Sequence, residues 1–568
     1  MSQLVAQIAR QEKLLAKEPH VAAHWFRMGR MQRLNSQFKE SIIALSRCVA
    51  LEPNDLEAWC LMGFSFLDLF KMKEALECFV FALNAEPTRA EAVFGCALAQ
   101  EMLGNHADAL EFIDHAVALA PDNQRFYPLR AYLHATYSKD AAKSLPYFRQ
   151  WAERFADPLT YAAKPPQVDL TPGRKLRIGY VSGDLRNHSV AFFVEPIFAR
   201  HNRQNVHVSA FSTGAADAVT KRIRSTVDAW FDISTMSDEA ICALIRRQKI
   251  DVLIDLSGHT VGNRLMVFAR RAAPVQLTWL GFMYTTGMAA MNYRITDAIA
   301  DPPGVSENGH SEILFRVKRM AIYQPPPATL YLEPPVKRRG KVLFGSLNHL
   351  KKITDHMLGV WKRILDQVPD SILLVIASEM SQEEAIAGQR PRLEAAGLTM
   401  DRLCILPRMG LDSFMDLGKH IDIALDTAPL SGGTTTLHSL WMGLPVVCMK
   451  AGQGFANSSA ATVSALGMPE LAAEDEEGYI RTAVALANSP DTLADFRAGI
   501  RQRMEQSYLM DYAGFVADME AAYRLMWLNH LYGKSVHLDT HCDVQAAVAQ
   551  CIADLGRLPA PHAEALAA

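Results

Sequence analysis

The stretch that decides the fold is LDTAPLSGGTTTLHSLWMGLPVV, residues 425–447. Asp426 closes a short apolar run, DIALD, that reads as a buried strand. Gly432 and Gly433 free the backbone for a turn, and Thr434, Thr435 and Thr436 open a helix whose interior is LHSLWM. The run PVVCM, 445–449, is the next strand. Strand, glycine turn, helix and strand in that order is a unit of a doubly wound α/β sheet, which binds ligands at the carboxyl ends of its strands. Two glycines followed by three hydroxyl residues at a helix start also make an anion site. Free backbone N–H groups, the positive end of the helix dipole and hydroxyl donors converge there. Plain capping by threonine accounts for one hydroxyl, but not for the glycine pair and three threonines. A diphosphate suits the site.

Working outward, KVLFGSL (341–347), SILLVIAS (371–378) and LCILP (403–407) read as further strands of the same lobe. Upstream lies AIYQPPPATLYLEPPVKRRG, 321–340, whose five prolines cannot form a ladder and mark a lobe boundary. Before it the alternation occurs a first time, with LRIGYVS (Leu176–Ser182), VHVSAFS (Val206–Ser212), DVLIDLS (251–257) and VQLTWLG (275–281). Two Rossmann-like, doubly wound lobes are expected, at 159–325 and 340–500. Residues 501–568 are expected to be helices packing back on them, with an aromatic-rich helix ending near Leu531; 534–568 carry little signal.

The first 158 residues follow a different rule. Pro19, Pro53, Pro87 and Pro121 stand 34 residues apart, and Trp25 and Gly29 keep the same offsets to Pro53 as Trp59 and Gly63 keep to Pro87. This resembles the tetratricopeptide repeat, in which a small residue on the first helix lets the second approach and proline ends the pair. The third unit, with Val93, Ala97, Ala109 and Ala116, is looser. The fourth runs 37 residues, from Pro121 to Pro158, and reads as a unit adapting to a neighbouring domain. An all-α solenoid over 1–158 is expected, with a concave binding surface.

Composition narrows the function classes. With 58 Lys+Arg against 61 Asp+Glu, the formal charge is −3, which gives no basic field for a nucleic-acid backbone. No apolar run is long enough to span a bilayer and the start shows no cleavage signal, so a cytoplasmic protein without membrane or nucleic-acid partners is expected. The nine cysteines never occur as CxxC, which suits reduced, buried thiols. There is no GxxxxGK[ST], no HExxH and no DxD, so neither triphosphate hydrolysis nor a metal-clasped diphosphate is indicated.

Two other loops carry chemistry. GDLRNHS places Asp184, Asn187 and His188 at the end of the first strand, where His188 suits a general base or a phosphate donor. LNHLKKITD places Asn348, His349, Lys351 and Lys352 after the strand 341–347, where a lysine meets an anion in the cleft.

Together with the repeats and the aromatic C-terminal helix, the motifs RIGYVSGDLRNHS, VLIDLSGHTVGNR, APVQLTWLGFMYTTG, NYRITD, FGSLNHLKKI and 425–447 resemble the O-linked N-acetylglucosamine transferases and their SPINDLY-like relatives. The resemblance covers about residues 20–530 and implies a two-lobed GT-B glycosyltransferase, inverting and metal-independent, without a cofactor. It implies UDP-GlcNAc as donor and a protein or peptide acceptor along the repeat groove. It further implies that His188 is base or acceptor-positioning group, Lys352 lies on the donor diphosphate, and Thr434 and Thr435 bond the phosphates. His349, Asp426, Gly432, Gly433, Thr436 and His438 belong to the donor site by the same resemblance, with Thr260 facing the donor and Phe414 stacking on the base.

The sequence departs from the animal enzymes, which have glutamine at His349, histidine at Gly433 and an aspartate ribose ligand at His438. The SPINDLY-like branch carries the TTT form, for which GDP-fucose is a donor. The asparagine ladder of the animal repeats falls here at Arg27, Leu61 and Gly95. Two alternatives therefore stand beside the first reading: a protein glycosyltransferase with another donor or acceptor, and a repeat scaffold whose transferase domain is silent.

Overall fold

The computed structural model describes residues 2–137, 144–450 and 454–532. A helical repeat array is followed by two parallel-sheet α/β lobes, as expected. The strands are β1 (Leu176–Ser182), β2 (Val206–Ser212), β3 (Ala229–Asp232), β4 (Val252–Asp255), β5 (Val275–Thr278), β6 (Tyr293–Thr296) and β7 (Ile313–Arg316), then β8 (Leu343–Ser346), β9 (Ile372–Ile376), β10 (Leu403–Leu406), β11 (Ile423–Leu425), β12 (Val446–Met449) and β13 (Ala472–Ala473). The described residues divide into two compact units. One takes Met1–Tyr137, Asn348–Lys362 and Leu373–Met409; the other takes Ser138–Leu347, Arg363–Ile372 and Gly410 onward.

In the first unit the repeats are helix pairs: Ala22–Leu34 with Phe38–Leu51, Leu56–Asp68 with Met72–Ala85, and Ala90–Leu103 with His106–Leu119. The recurrent aromatic and proline are one device. Trp25 Nε1 donates to the Pro19 carbonyl at 2.8 Å, Trp59 Nε1 to that of Pro53 at 3.0 Å, and the Tyr127 hydroxyl to that of Pro121 at 2.8 Å. Each bond ties the turn ending one pair to the helix opening the next. The third unit has Val93 at that position and no donor, the physical content of its looser pattern. Small residues allow the close approach: a Cβ on Gly63 would fall 2.7 Å, and one on Gly95 2.3 Å, from the fully buried Phe79 ring. In the same unit β9 and β10 pair in parallel, with Leu403 opposite Leu373.

In the second unit the first lobe's sheet, among the described residues, runs β3-β2-β1-β4-β5-β6-β7, with Tyr180 between Ala210 and Ile254. The order reverses beside β1, which places the crevice at the end of that strand. β3, β6 and β7 were not anticipated as strands; each has four residues, too few to show a period. Helix Tyr512–Tyr532 places Met519, Tyr523 and Trp527 in the core of this lobe. Tyr523 meets the Tyr180 hydroxyl at 3.1 Å, and Glu520 meets His201 Nδ1 at 2.9 Å. From the second lobe, β8, β11, β12 and β13 pair successively in parallel.

Helix Leu145–Trp151, from the irregular fourth repeat, docks on the first lobe. Phe148 lies 5.3 Å from the His259 ring and Trp151 4.7 Å from it, edge-on. His259 Nε2 donates to the Thr286 carbonyl at 2.9 Å. Cys48, Cys60, Cys78, Cys96, Cys242, Cys404 and Cys448 are free thiols, all buried but the half-buried Cys404. No described helix is long and apolar enough to cross a membrane. The segment 534–568 lies outside the described residues.

Two outcomes follow from this packing. Phe79→Ala removes the ring that fills both glycine notches, and should lower the stability of the repeat unit by about 3–5 kcal/mol, read as an early transition in thermal unfolding. Burial pulls His259 down to about 4. A depressed histidine stabilises the fold above its unfolded value near 6.5, and that stability is lost as pH falls toward 4, at up to about 1.4 kcal/mol per pH unit. His259→Gln, which keeps a donor for Thr286 and does not titrate, should therefore lose less Tm than wild type between pH 6.5 and 4.5.

Candidate functional site

Helix Thr434–Trp441 starts after Gly433, whose φ of −122° and ψ of −94° lie outside the helical region, and no side chain caps it. The turn is held from behind. Asp426 Oδ1 accepts the Gly432 N–H at 2.7 Å, and the Tyr479 hydroxyl donates to the Asp426 carbonyl at 2.8 Å. Ser459 Oγ donates to the Gly432 carbonyl at 3.0 Å and lies 2.6 Å from Thr436 Oγ1. Asp426, Gly432 and Thr436 thus shape the turn, while Thr434 and Thr435 are half-buried at its open side. A Cβ on Gly433 would meet Ser458 Oγ at 3.7 Å and nothing nearer, so the cradle has room in front. Exposed N–H groups, a dipole end and hydroxyls remain available to an anion.

A cavity of about 170 Å³ opens against this helix start, with Gly433, Thr434, Ser458, His188, Gly281 and Arg319 among its lining residues. Glycine at 281 is obligatory, since a Cβ there would fall 1.7 Å from the Leu256 carbonyl oxygen. His188 reaches the cavity from the loop after β1. Its Nδ1 accepts the Val190 N–H at 3.3 Å and lies 3.7 Å from Asp184 Oδ1. Burial lowers its pKa from the ordinary value; Asp184 opposes this and Arg186 adds to it. The imidazole is therefore neutral near pH 7, and with Nδ1 accepting, Nε2 carries the proton.

One turn further along the helix, His438 Nδ1 is hydrogen-bonded to the Tyr323 hydroxyl at 2.6 Å, with Phe414 edge-on at 6.0 Å and Phe192 at 5.0 Å. Burial pulls His438 down to about 4. Thr260 stands apart: its hydroxyl donates to the Ser257 carbonyl at 2.8 Å, and it does not line the cavity. Its loop is fixed by Asp255, which accepts the N–H groups of Ser257 at 3.1 Å and Gly258 at 2.8 Å and the Thr278 hydroxyl at 2.8 Å. Burial pushes Asp255 up to about 6 against these bonds.

His349 and Lys352 belong to the first unit. The Lys352 N–H donates to the His349 carbonyl at 2.9 Å, in the single turn Leu350–Lys352. Burial, with Lys351, Arg408 and Lys352 adding to it, pulls His349 down to about 3. The repeat array grips this turn. His106 Nε2 donates to the Lys351 carbonyl at 2.8 Å, and the buried Glu101 carboxylate lies 3.1 Å from Lys351 Nζ.

Arg319, Ser458 and Thr462 were missed by the sequence reading. Arg319 sits in the basic run FRVKR, outside every motif read for binding, and is 9% exposed. Among the described residues, no group of three or more His, Cys, Asp and Glu side chains is placed to hold a metal ion.

The sequence pattern of glycosyl transferase family 41 matches residues 153–321 and 338–519. A tomato (Solanum lycopersicum) protein named probable UDP-N-acetylglucosamine–peptide N-acetylglucosaminyltransferase SPINDLY is 37% identical over 369 residues, 64% of this chain and 40% of that protein. The Caenorhabditis elegans UDP-N-acetylglucosamine–peptide N-acetylglucosaminyltransferase is 24% identical over 537 residues, 73% of this chain and 46% of that one. The chain thus spans less than half the length of these relatives. A solved structure, a mutant O-GlcNAc transferase of Thermobaculum terrenum, superposes with a TM-score of 0.82 at 32% identity, covering 90% of this chain and 98% of that chain. The chain belongs to glycosyl transferase family 41.

Proposed function

We propose that this chain transfers N-acetylglucosamine from UDP-GlcNAc to serine or threonine hydroxyls of proteins, by direct displacement with inversion at the anomeric carbon and without a metal. The observation that carries the reading is that His188 and the uncapped start of helix Thr434–Trp441 line one cavity. The names of the relatives supply the substrate class.

In this reading the backbone N–H groups at Thr434 and Thr435, their hydroxyls and Lys352 take the donor diphosphate, and Phe414 and His438 take the nucleoside. The acceptor hydroxyl attacks the anomeric carbon as the bond to the diphosphate oxygen breaks, so negative charge grows on the departing UDP. Fixed donors aimed at that charge are the largest catalytic term. His188 with its proton on Nε2 orients an oxygen by donating to it; removing the acceptor's proton needs the other tautomer. The repeat array supplies the acceptor surface, but not through an asparagine ladder: Gly95, at a ladder position, is covered by Phe79. A second reading, another donor such as GDP-fucose, is favoured by one observation: His438 is already hydrogen-bonded to Tyr323 where the animal enzymes place a ribose-binding aspartate.

Purified full-length chain, given labelled UDP-GlcNAc and a protein acceptor, should transfer label to serine or threonine. Label moved only from GDP-fucose would favour the second reading, and no hydrolysis or transfer from any nucleotide sugar would make the chain a scaffold. Lys352→Ala should lower turnover by about two to three decades, roughly 2–4 kcal/mol of barrier, with the circular dichroism spectrum unchanged; activity within threefold of wild type would remove Lys352 from the mechanism. Because the phosphate site is built from hydroxyls, N–H groups and a lysine, turnover should persist in EDTA. Loss of turnover that magnesium or manganese restores would contradict a metal-independent reaction.

A further inference from the structure

Arg319 lies in the segment after β7 and lines the same cavity as the helix start, although it is 9% exposed. A guanidinium has five N–H donors and cannot lose its charge near neutral pH, so burying it requires acceptors. Here Nη2 donates to the Ala461 carbonyl at a long 3.3 Å, and Nε has no partner among the described residues. Asp297 is the carboxylate whose charge acts on Arg319, but no ion pair joins them. Asp297 is fixed by backbone N–H groups instead, from Ile299 at 2.9 Å, Ala300 at 2.8 Å and Met320 at 3.0 Å. Around the guanidinium the cavity offers further polar groups, from His188, Thr434, Ser458 and Thr462. A buried cation short of acceptors, next to a helix start that attracts anions, calls for an oxygen-rich, negatively charged occupant.

We propose that Arg319 is a donor-recognition residue whose guanidinium takes oxygen atoms of the sugar–diphosphate end of the bound nucleotide sugar. This rests on reading the cavity as the donor site. It gives the cavity a cation on a segment that none of the sequence motifs singled out for binding. A purely structural Arg319 would tie its segment to helix Gly454–Ala465 through the Ala461 carbonyl and leave ligand affinity untouched.

The test is calorimetric titration of full-length wild type, Arg319→Met, Arg319→Gln and Arg319→Lys with uridine, UDP and UDP-GlcNAc, with Tm measured for each. The expected result is that both neutral variants bind uridine within twofold of wild type but UDP-GlcNAc at least tenfold more weakly, and that Arg319→Lys recovers part of the loss. Equal weakening toward UDP would place the diphosphate on Arg319; UDP affinity left intact would place the sugar there. UDP-GlcNAc affinity within twofold of wild type in either folded neutral variant would overturn the proposal, as would an equal loss toward uridine. Wild type that binds none of the three ligands would overturn the donor-site reading itself, and this role with it.

Discussion

The first N–H groups of an α-helix have no partner within the helix, and at Thr434 no side chain supplies one. That single deficit organises the surrounding structure. Asp426, itself held by Tyr479, pins Gly432 from behind, and Ser459 with Thr436 closes the rear of the turn. The front is left to whatever the cavity receives. A helix end buried without partners would be a fault in an ordinary core. Here it lines a cavity that a neutral imidazole and a guanidinium also line, and under the proposed function the deficit is a binding device.

The second constraint concerns the repeat array. Glu101 and His106 come from the third helix pair, and they hold Lys351, the neighbour of Lys352. The grip uses two chemically different bonds, an ion pair to a side chain and a hydrogen bond to a carbonyl, so it fixes the backbone of the turn as well as its charge. Burial pulls His106 down to about 4, which keeps it a neutral donor to that carbonyl across the physiological range. The array is therefore part of the framework of a candidate donor loop.

How much of this was legible in the sequence depended on how local each feature is. The 34-residue spacing of prolines foretold the helix pairs because each repeat bonds within itself: Trp25 reaches a carbonyl six residues back, and so does Trp59. β1 and β2 were read to the residue because both faces of those strands are buried and their apolar runs are continuous. β3 was missed because it is short and only half-buried, a segment whose pattern is set by its place in the sheet rather than by its own period. In the site, Thr434 and Gly433 were legible since a helix terminus advertises its chemistry in consecutive residues. Thr260 was named from resemblance, and its hydroxyl turns out to be engaged with its own loop.

Selectivity is the part that local sequence hides. The bond between Tyr323 and His438 joins residues 115 apart, and that between Arg319 and Ala461 joins residues 142 apart. Neither Tyr323 nor Arg319 belongs to a motif read for binding, because what matters in each is the cavity it reaches and not the residues beside it. Phosphate chemistry can be served by one helix start, whereas telling one nucleotide or sugar from another requires groups converging from several segments. Under the proposed function, the same division accommodates the departures from the animal enzymes at Gly433 and His438. Asp426 and Ser459 hold the turn at Gly432 independently of the side chain at His438, so in the proposed function a change there alters donor preference without dismantling the anion site.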